Sequence, residues 1–196
     1  MRTIITILLT IALSIQVTVV LAGKKKDHLS DTDDSDATVC DDKIKTCKAD
    51  IVNIVNKLKS ANEELLYFKG TDGFLAAFSL HTAEREIEDL IHRARYDCCA
   101  IPRELTEAET KDILDEKEPL VAEIRLILTT ILSKKPQLEH VLLACSLLRN
   151  DLRNIQALVR PLTTCLAERA DKDHKDDVNR AAAELDGLFS SAIRAI

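Results

Sequence analysis

IKTCKADIVNIVNKLKSANEELLYF, residues 44–68, is the stretch that decides the fold. Ile44, Cys47, Ile51, Ile54, Leu58, Ala61, Leu65 and Phe68 recur at alternating steps of three and four. At 3.6 residues per turn that spacing winds one apolar stripe along a helix of about seven turns. Gly70 and Gly73, with Thr71-Asp72 between them, end it. A helix with so long an apolar stripe must be covered by other elements, and the rest of the chain supplies more helices.

Toward the C-terminus a second helix is predicted from Gly73 to Cys99, with Phe74, Phe78, Ile87, Leu90, Ile91 and Ala94 inward. Its charged outer face is Glu84, Arg85, Glu88, Asp89 and Arg93, and Pro102 closes it. Thr106-Glu107-Ala108-Glu109 has the capping-box pattern, in which hydroxyl and carboxylate satisfy each other's orphan backbone donors, so a third helix starts at Glu107 and runs to about Lys134. Pro119 removes one backbone donor and predicts a kink near Glu118. From Leu120 to Leu132 the helix is apolar nearly all round, which suits either a central helix or the wall of a lipid cavity. Ser133-Lys134-Lys135-Pro136 reads as a turn whose lysines face the negative end of that helix. A fourth helix carries Leu138, Val141, Leu142, Cys145, Leu148, Leu152, Ile155, Val159, Leu162 and Leu166, with a kink at Pro161. After a polar turn over Ala170–Asp177, a fifth buries Val178, Ala181, Leu185, Leu188, Phe189, Ala192, Ile193 and Ile196. Strand signals are absent. The fold class is all-α: an up-and-down antiparallel bundle of about five amphipathic helices over residues 41–196, stapled by disulfides.

Toward the N-terminus, Met1-Arg2 precedes an apolar run, Ile4 to Leu21, that ends in Val20-Leu21-Ala22, so residues 1–22 read as a secretory signal peptide. Residues 23–40 are acidic, poor in apolar residues and aperiodic, and are predicted to be a disordered linker. The net charge is −6, or −7 once the leader with its Arg2 is removed, which excludes nucleic acid as a partner for want of a basic face. With the leader cleaved the protein is not an integral membrane protein. Secretion places it outside the cell, where six cysteines favour disulfides.

Cys40 and Cys47 begin the first helix, Cys98 and Cys99 end the second, and Cys165 ends the fourth, so all five are predicted near one pole. Cys145 would lie ~30 Å from Cys165 along a straight helix, beyond bonding reach. The favoured pairing joins Cys40 and Cys47 to Cys98 and Cys99, leaving Cys145 and Cys165 open.

Catalytic signatures are missing: there is no Gly-x-Ser-x-Gly, phosphate loop or zinc-protease motif. His28, His81, His92, His140 and His174 are scattered, none at metal-ligand spacing with another His or Cys, and read as solvated or helix-face residues. Asp31, Asp33, Ser35 and Asp42 mimic part of a calcium loop, but Asp36 stands where glycine is needed and the bidentate Glu is missing. The expectation is therefore a non-enzyme with neither metal nor cofactor.

Phe68-Lys69-Gly70, Leu105 to Glu109, Pro119 in an apolar helix, Ile131 to Pro136, the Leu152/Ile155/Leu158 run and Leu188-Phe189-Ser190-Ser191-Ala192-Ile193 carry a resemblance. Over Tyr67–Ile196 the chain resembles the hydrophobic surface-binding protein A family, which includes the fungal cell-wall galactomannoproteins. The resemblance implies a secreted helical bundle, at the fungal cell wall, that coats hydrophobic solids or encloses a fatty acid between helices. The six cysteines and dense charge depart from that family's Ala/Ser/Thr-rich pattern. Phe74, Phe78, Leu120, Ile124, Ile127, Leu128, Ile131 and Phe189 are the candidate lipid- or surface-binding residues. The partners expected are a lipid or hydrophobic solid, with a wall polysaccharide or a secreted enzyme as further candidates. The rival reading is a secreted interaction module, an effector or an enzyme-inhibitor-like bundle, since Cys40-x6-Cys47 is similar to the early cysteine pair of plant invertase inhibitors.

Overall fold

The computed structural model describes residues 34–196; residues 1–33, read above as a signal peptide and the start of a linker, lie outside the described residues. Six helices follow in order: α1 Asp34–Tyr67, α2 Gly73–Cys99, α3 Glu107–Leu114, α4 Lys117–Leu138, α5 Ala144–Arg169 and α6 Lys175–Ala195, with a 3-10 turn at Gly70–Asp72. No strand occurs among the described residues, and no described helix is long and apolar enough to cross a membrane. Helix α1 reaches back through residues expected to belong to the linker, starting at Asp34.

All eight stripe residues from Ile44 to Phe68 are buried. The five long helices close a ring in which α1 packs on α2, α2 on α5, α5 on α6, α6 on α4, and α4 back on α1. Successive long helices alternate in direction, as an up-and-down chain must. Neighbours in space are not always neighbours in sequence: α4 and α5 share a short turn yet barely touch. The C-terminal ends of α1 and α4 meet, because Lys134 Nζ donates to the carbonyl oxygens of Leu66 and Phe68 at 2.5 and 2.9 Å. Those two helices are therefore parallel.

The double lysine thus works differently from its sequence reading. Lys134 closes the C-terminus of α1, and Lys135 Nζ donates to Ala195 O, 2.8 Å away at the C-terminus of α6. Both lysines neutralise the negative ends of neighbouring helices. Their own helix does not stop at Lys134 but runs on to Leu138 with Pro136 inside it. Gly70 lies against that end so closely that a Cβ would meet Gln137 O at 2.8 Å.

The predicted third helix is broken, not kinked. α3 ends at Leu114, and α4 restarts at Lys117, which puts Pro119 at the third helical position. The first four N–H groups of a helix have no partner within it, so proline costs nothing there. The capping box at Thr106 forms as read, with Glu109 N–H donating to Thr106 Oγ1 at 3.3 Å and Thr106 N–H to Glu109 Oε2 at 2.8 Å. Arg103 grips the same carboxylate with both guanidinium nitrogens, at 2.8 and 2.7 Å, and chiefly for that reason its pKa is held down at about 2.

Candidate functional site

Ring closure leaves a central cavity. Its volume is about 160 Å3, roughly ten times what one water needs, so it is larger than a packing defect. Each long helix contributes its inner stripe: Ile54 and Leu58 from α1, Ile87 from α2, Ile155 and Leu162 from α5, Leu185 from α6. A smaller apolar space of about 70 Å3 continues toward Leu105, Ile113 and Val178, sharing Ile51, Leu120, Leu166 and Leu185 with the first. The lining on α5 extends from Ala144 to Leu166, roughly 33 Å at 1.5 Å per residue. That matches the hydrocarbon core of a bilayer, ~30 Å or two acyl chains deep.

Of the candidate residues, Leu120, Ile124, Ile127, Leu128 and Ile131 of α4 and Phe189 of α6 line this space, and Phe74 stands at its edge. Phe78 does not line it; it stacks beside Phe74, ring centroids 6.2 Å apart. Neither phenylalanine is inward as expected: both are more than half exposed, at 61% and 51%. Leu142, also expected inward, and Leu143 are exposed too, because the chain turns between α4 and α5 and Leu143 takes a left-handed φ of 66°. Phe74, Leu142 and Leu143 all border the cavity, giving it an apolar rim in contact with water.

Helix α2 carries a feature that the sequence reading placed on the wrong face. Glu84 and Glu88, assigned to the solvated side, are 8% and 6% exposed, and Asp151 of α5 is 3% exposed. Their positions obey the stripe: Glu84, Ile87, Ile91, Ala94 and Cys98 share one phase, as do Ala144, Leu148, Asp151 and Ile155. That phase was the available signal, overridden by the expectation that charge faces water. His81 joins the group, Nδ1 lying 3.1 Å from Asp151 Oδ2 and 3.5 Å from Glu84 Oε2. Arg85 Nη1 donates to Glu88 Oε2 at 2.6 Å, whereas neither oxygen of Glu84 has a hydrogen-bond partner. Burial first, then Glu88 and Asp151, push the Glu84 carboxyl up to about 8, and burial also raises Asp151. His81, Glu84 and Asp151 line the cavity wall in an otherwise almost wholly carbon lining. Their ligating atoms lie within 4.8 Å of one another, so they are also the residues able to hold a cation. Thr163, another polar lining residue, bonds its own helix through Val159 O and Arg160 O.

The expected joining of Cys47 to the Cys98-Cys99 pair is seen, but that of Cys40 is not. Cys47 bonds Cys98 and Cys99 bonds Cys165, while Cys40 and Cys145 are free. Consecutive helical residues point ~100° apart, so Cys98 meets α1 and Cys99 turns to α5 instead of meeting Cys40. Seven residues before Cys47, Cys40 lies roughly 10 Å further along α1. Burial raises the Cys145 thiol, which leaves it a poor nucleophile.

Residues 44–168 match the family model described as hydrophobic surface binding protein A. Among solved structures, Afmp4p in complex with palmitic acid superposes with a TM-score of 0.73 at 26% identity, over 78% of this chain and 98% of that one. Ligand binding domain 1 of Penicillium marneffei MP1 protein, complexed with arachidonic acids, gives 0.72 at 14% identity, covering 78% and 97%. Domain 2 of the same protein, with multiple arachidonic acids, gives 0.69 at 16%, covering 79% and 94%. No curated relative matches the sequence.

Proposed function

Because the chain belongs to the hydrophobic surface binding protein A family, we propose that it is a secreted, non-catalytic binding protein of the fungal cell wall that takes an acyl chain between its helices and meets hydrophobic surfaces with its apolar rim. The observation that carries this reading is the carbon-lined cavity of about 160 Å3, bordered by exposed Phe74, Leu142 and Leu143. The similar structures holding palmitic and arachidonic acids support it. Leu120, Ile124, Ile127, Leu128, Ile131 and Phe189 would form the wall against the chain, with Phe74 and Phe78 at the entrance.

Energetics fit a carrier of modest affinity. Burying some sixteen methylenes gains about 13 kcal/mol at ~0.8 each. Association costs of about 5 kcal/mol leave micromolar-class binding. Directional contacts contribute little along the chain, so selectivity for chain type is low.

Native mass spectrometry of the mature protein, followed by denaturing extraction, tests the reading. A stoichiometric long-chain lipid that leaves on unfolding is the expected result, and Ala77→Trp, which fills the cavity beside the rim, should cut its affinity at least about tenfold while circular dichroism stays helical. An empty protein that refuses added palmitic acid, hexadecanol and hexadecylamine overturns the carrier reading and leaves the rim to a protein partner.

A further inference from the structure

We infer that His81, Glu84 and Asp151 form a head-group subsite selecting long-chain ligands that end in a hydrogen-bond donor, an alcohol or an amine, over those that end in a carboxylate. This rests on the acyl-chain reading and concerns the polar end of the same ligand.

The placement follows from helical spacing. Phe74, Phe78 and His81 stand on successive turns of α2, and Glu84 is the next step inward. Exposure falls along that series, from 61% at Phe74 to 8% at Glu84. A chain seated in the cavity with its polar end toward the rim therefore brings that end beside the cluster. Its tail points along α5 toward Leu166.

The chemistry follows from what the cluster lacks. Glu84 is buried in the wall with both carboxyl oxygens unpartnered, a state that costs free energy until a donor arrives. Asp151 has a single nearby donor, His81, and Arg85 is already committed to Glu88. An incoming hydroxyl can donate to Glu84 or Asp151 and accept from His81. An ammonium supplies three donors and a compensating charge. A carboxylate brings neither; it joins the acids Glu88 and Asp151 in a carbon-lined space where burial disfavours its charge. Burial first, then Glu88 and Asp151, push the Glu84 carboxyl up to about 8, and the same surroundings disfavour a ligand carboxylate.

The test is competition binding with hexadecylamine, hexadecanol and palmitic acid, identical in chain length, in the presence of EDTA. Wild type is expected to bind amine and alcohol at least about tenfold more tightly than acid, the scale of one charge-assisted hydrogen bond. Glu84→Gln and Asp151→Asn, both near-isosteric, should shrink the amine-to-acid ratio at least about fivefold. Asp89→Asn, an exposed acid of α2 outside the cavity lining, should leave the ratio unchanged, and melting temperatures establish that each variant folds. Palmitic acid binding as tightly as the amine in wild type overturns the inference while leaving the carrier reading intact. A preference that survives both acid substitutions overturns its assignment to this cluster. Selectivity that appears only when Zn2+ replaces EDTA makes the triad a cation site and overturns head-group selection. Refusal of all three ligands removes the carrier reading itself.

Discussion

The two poles of the bundle are built on opposite principles. At one, Cys47–Cys98 and Cys99–Cys165 tie α1, α2 and α5 together, Ile101 is wholly buried, and Leu105 N–H reaches Arg169 O at 2.7 Å. At the other, Phe74, Leu142 and Leu143 face water, Leu143 holds a left-handed backbone, and Glu84 lies unpartnered in the wall. The first pole is tied covalently, although Asp50, one turn from Cys47, keeps one buried carboxyl oxygen unpartnered there and Cys40 stays a free thiol; the second leaves apolar surface and a whole carboxyl unsatisfied. The covalent ties lie at the pole away from the apolar rim, which lets the open end keep features that cost free energy.

Removing the staple should have the largest effect. Replacing both Cys47 and Cys98 by alanine reopens a 51-residue separation, worth about 4 kcal/mol in the chain-entropy model. Urea unfolding should register that loss while acyl binding changes little; equal losses in both would erase the contrast between poles. Next comes a matched pair of truncations. Ile101→Ala, at the closed pole, should cost ~4 kcal/mol, and Ile124→Ala, in the cavity wall, ~2, because a wall residue already lacks contacts on one side. Equal costs would mean that the cavity is packed shut.

Glu84→Gln sharpens the contrast through pH. Folding raises the Glu84 pKa from its ordinary 4.5 to about 8, so the folded state binds the proton more tightly than the unfolded state. That contribution to stability is complete below pH 4.5 and disappears as pH climbs through 8. Glu88, Asp151, His81 and Arg85 all face the group and stay in place in the variant. Glu84→Gln should match wild type near pH 4 and exceed it by on the order of a few kcal/mol above pH 8, read from thermal melts across pH. The smallest effect belongs to the closed pole's helix start, where Thr106→Ala should cost about 1 kcal/mol by removing the cap of α3.

How much of this was legible in the sequence varies by element. All eight residues of the α1 stripe from Ile44 to Phe68 are buried, because an uninterrupted apolar period leaves one possible inner face, whereas Asp50, Val55 and Asn62, buried beside it, lie off the stripe. The capping box placed the start of α3 for a similarly local reason. Prolines misled, since Pro119 and Pro136 carry no mark of whether they open, break or sit within a helix. Lys134 and Lys135 act on carbonyls of helices far away in sequence, which no local pattern reports. The wall residues of α4 stand out by apolar excess, but the buried acids of α2 and α5 do not, because charge ordinarily faces water and helical phase alone does not outweigh that preference. Cysteine pairing needed the ring order, and that depends on which helices meet, not on which follow each other.

Cys98 and Cys99 are adjacent and bond outward to different helices, so α1, α2 and α5 form one covalent frame, while α4 and α6 are held to it by contacts alone. A ring with three sides welded and two resting is mechanically uneven. When a guest of greater girth enters, displacement must fall on α4 and α6, which carry Ile124, Leu128, Ile131 and Phe189. The protein then works less like a mould than like a spring clip: its rigid jaw is set by redox chemistry, and its compliant jaw takes the measure of the guest.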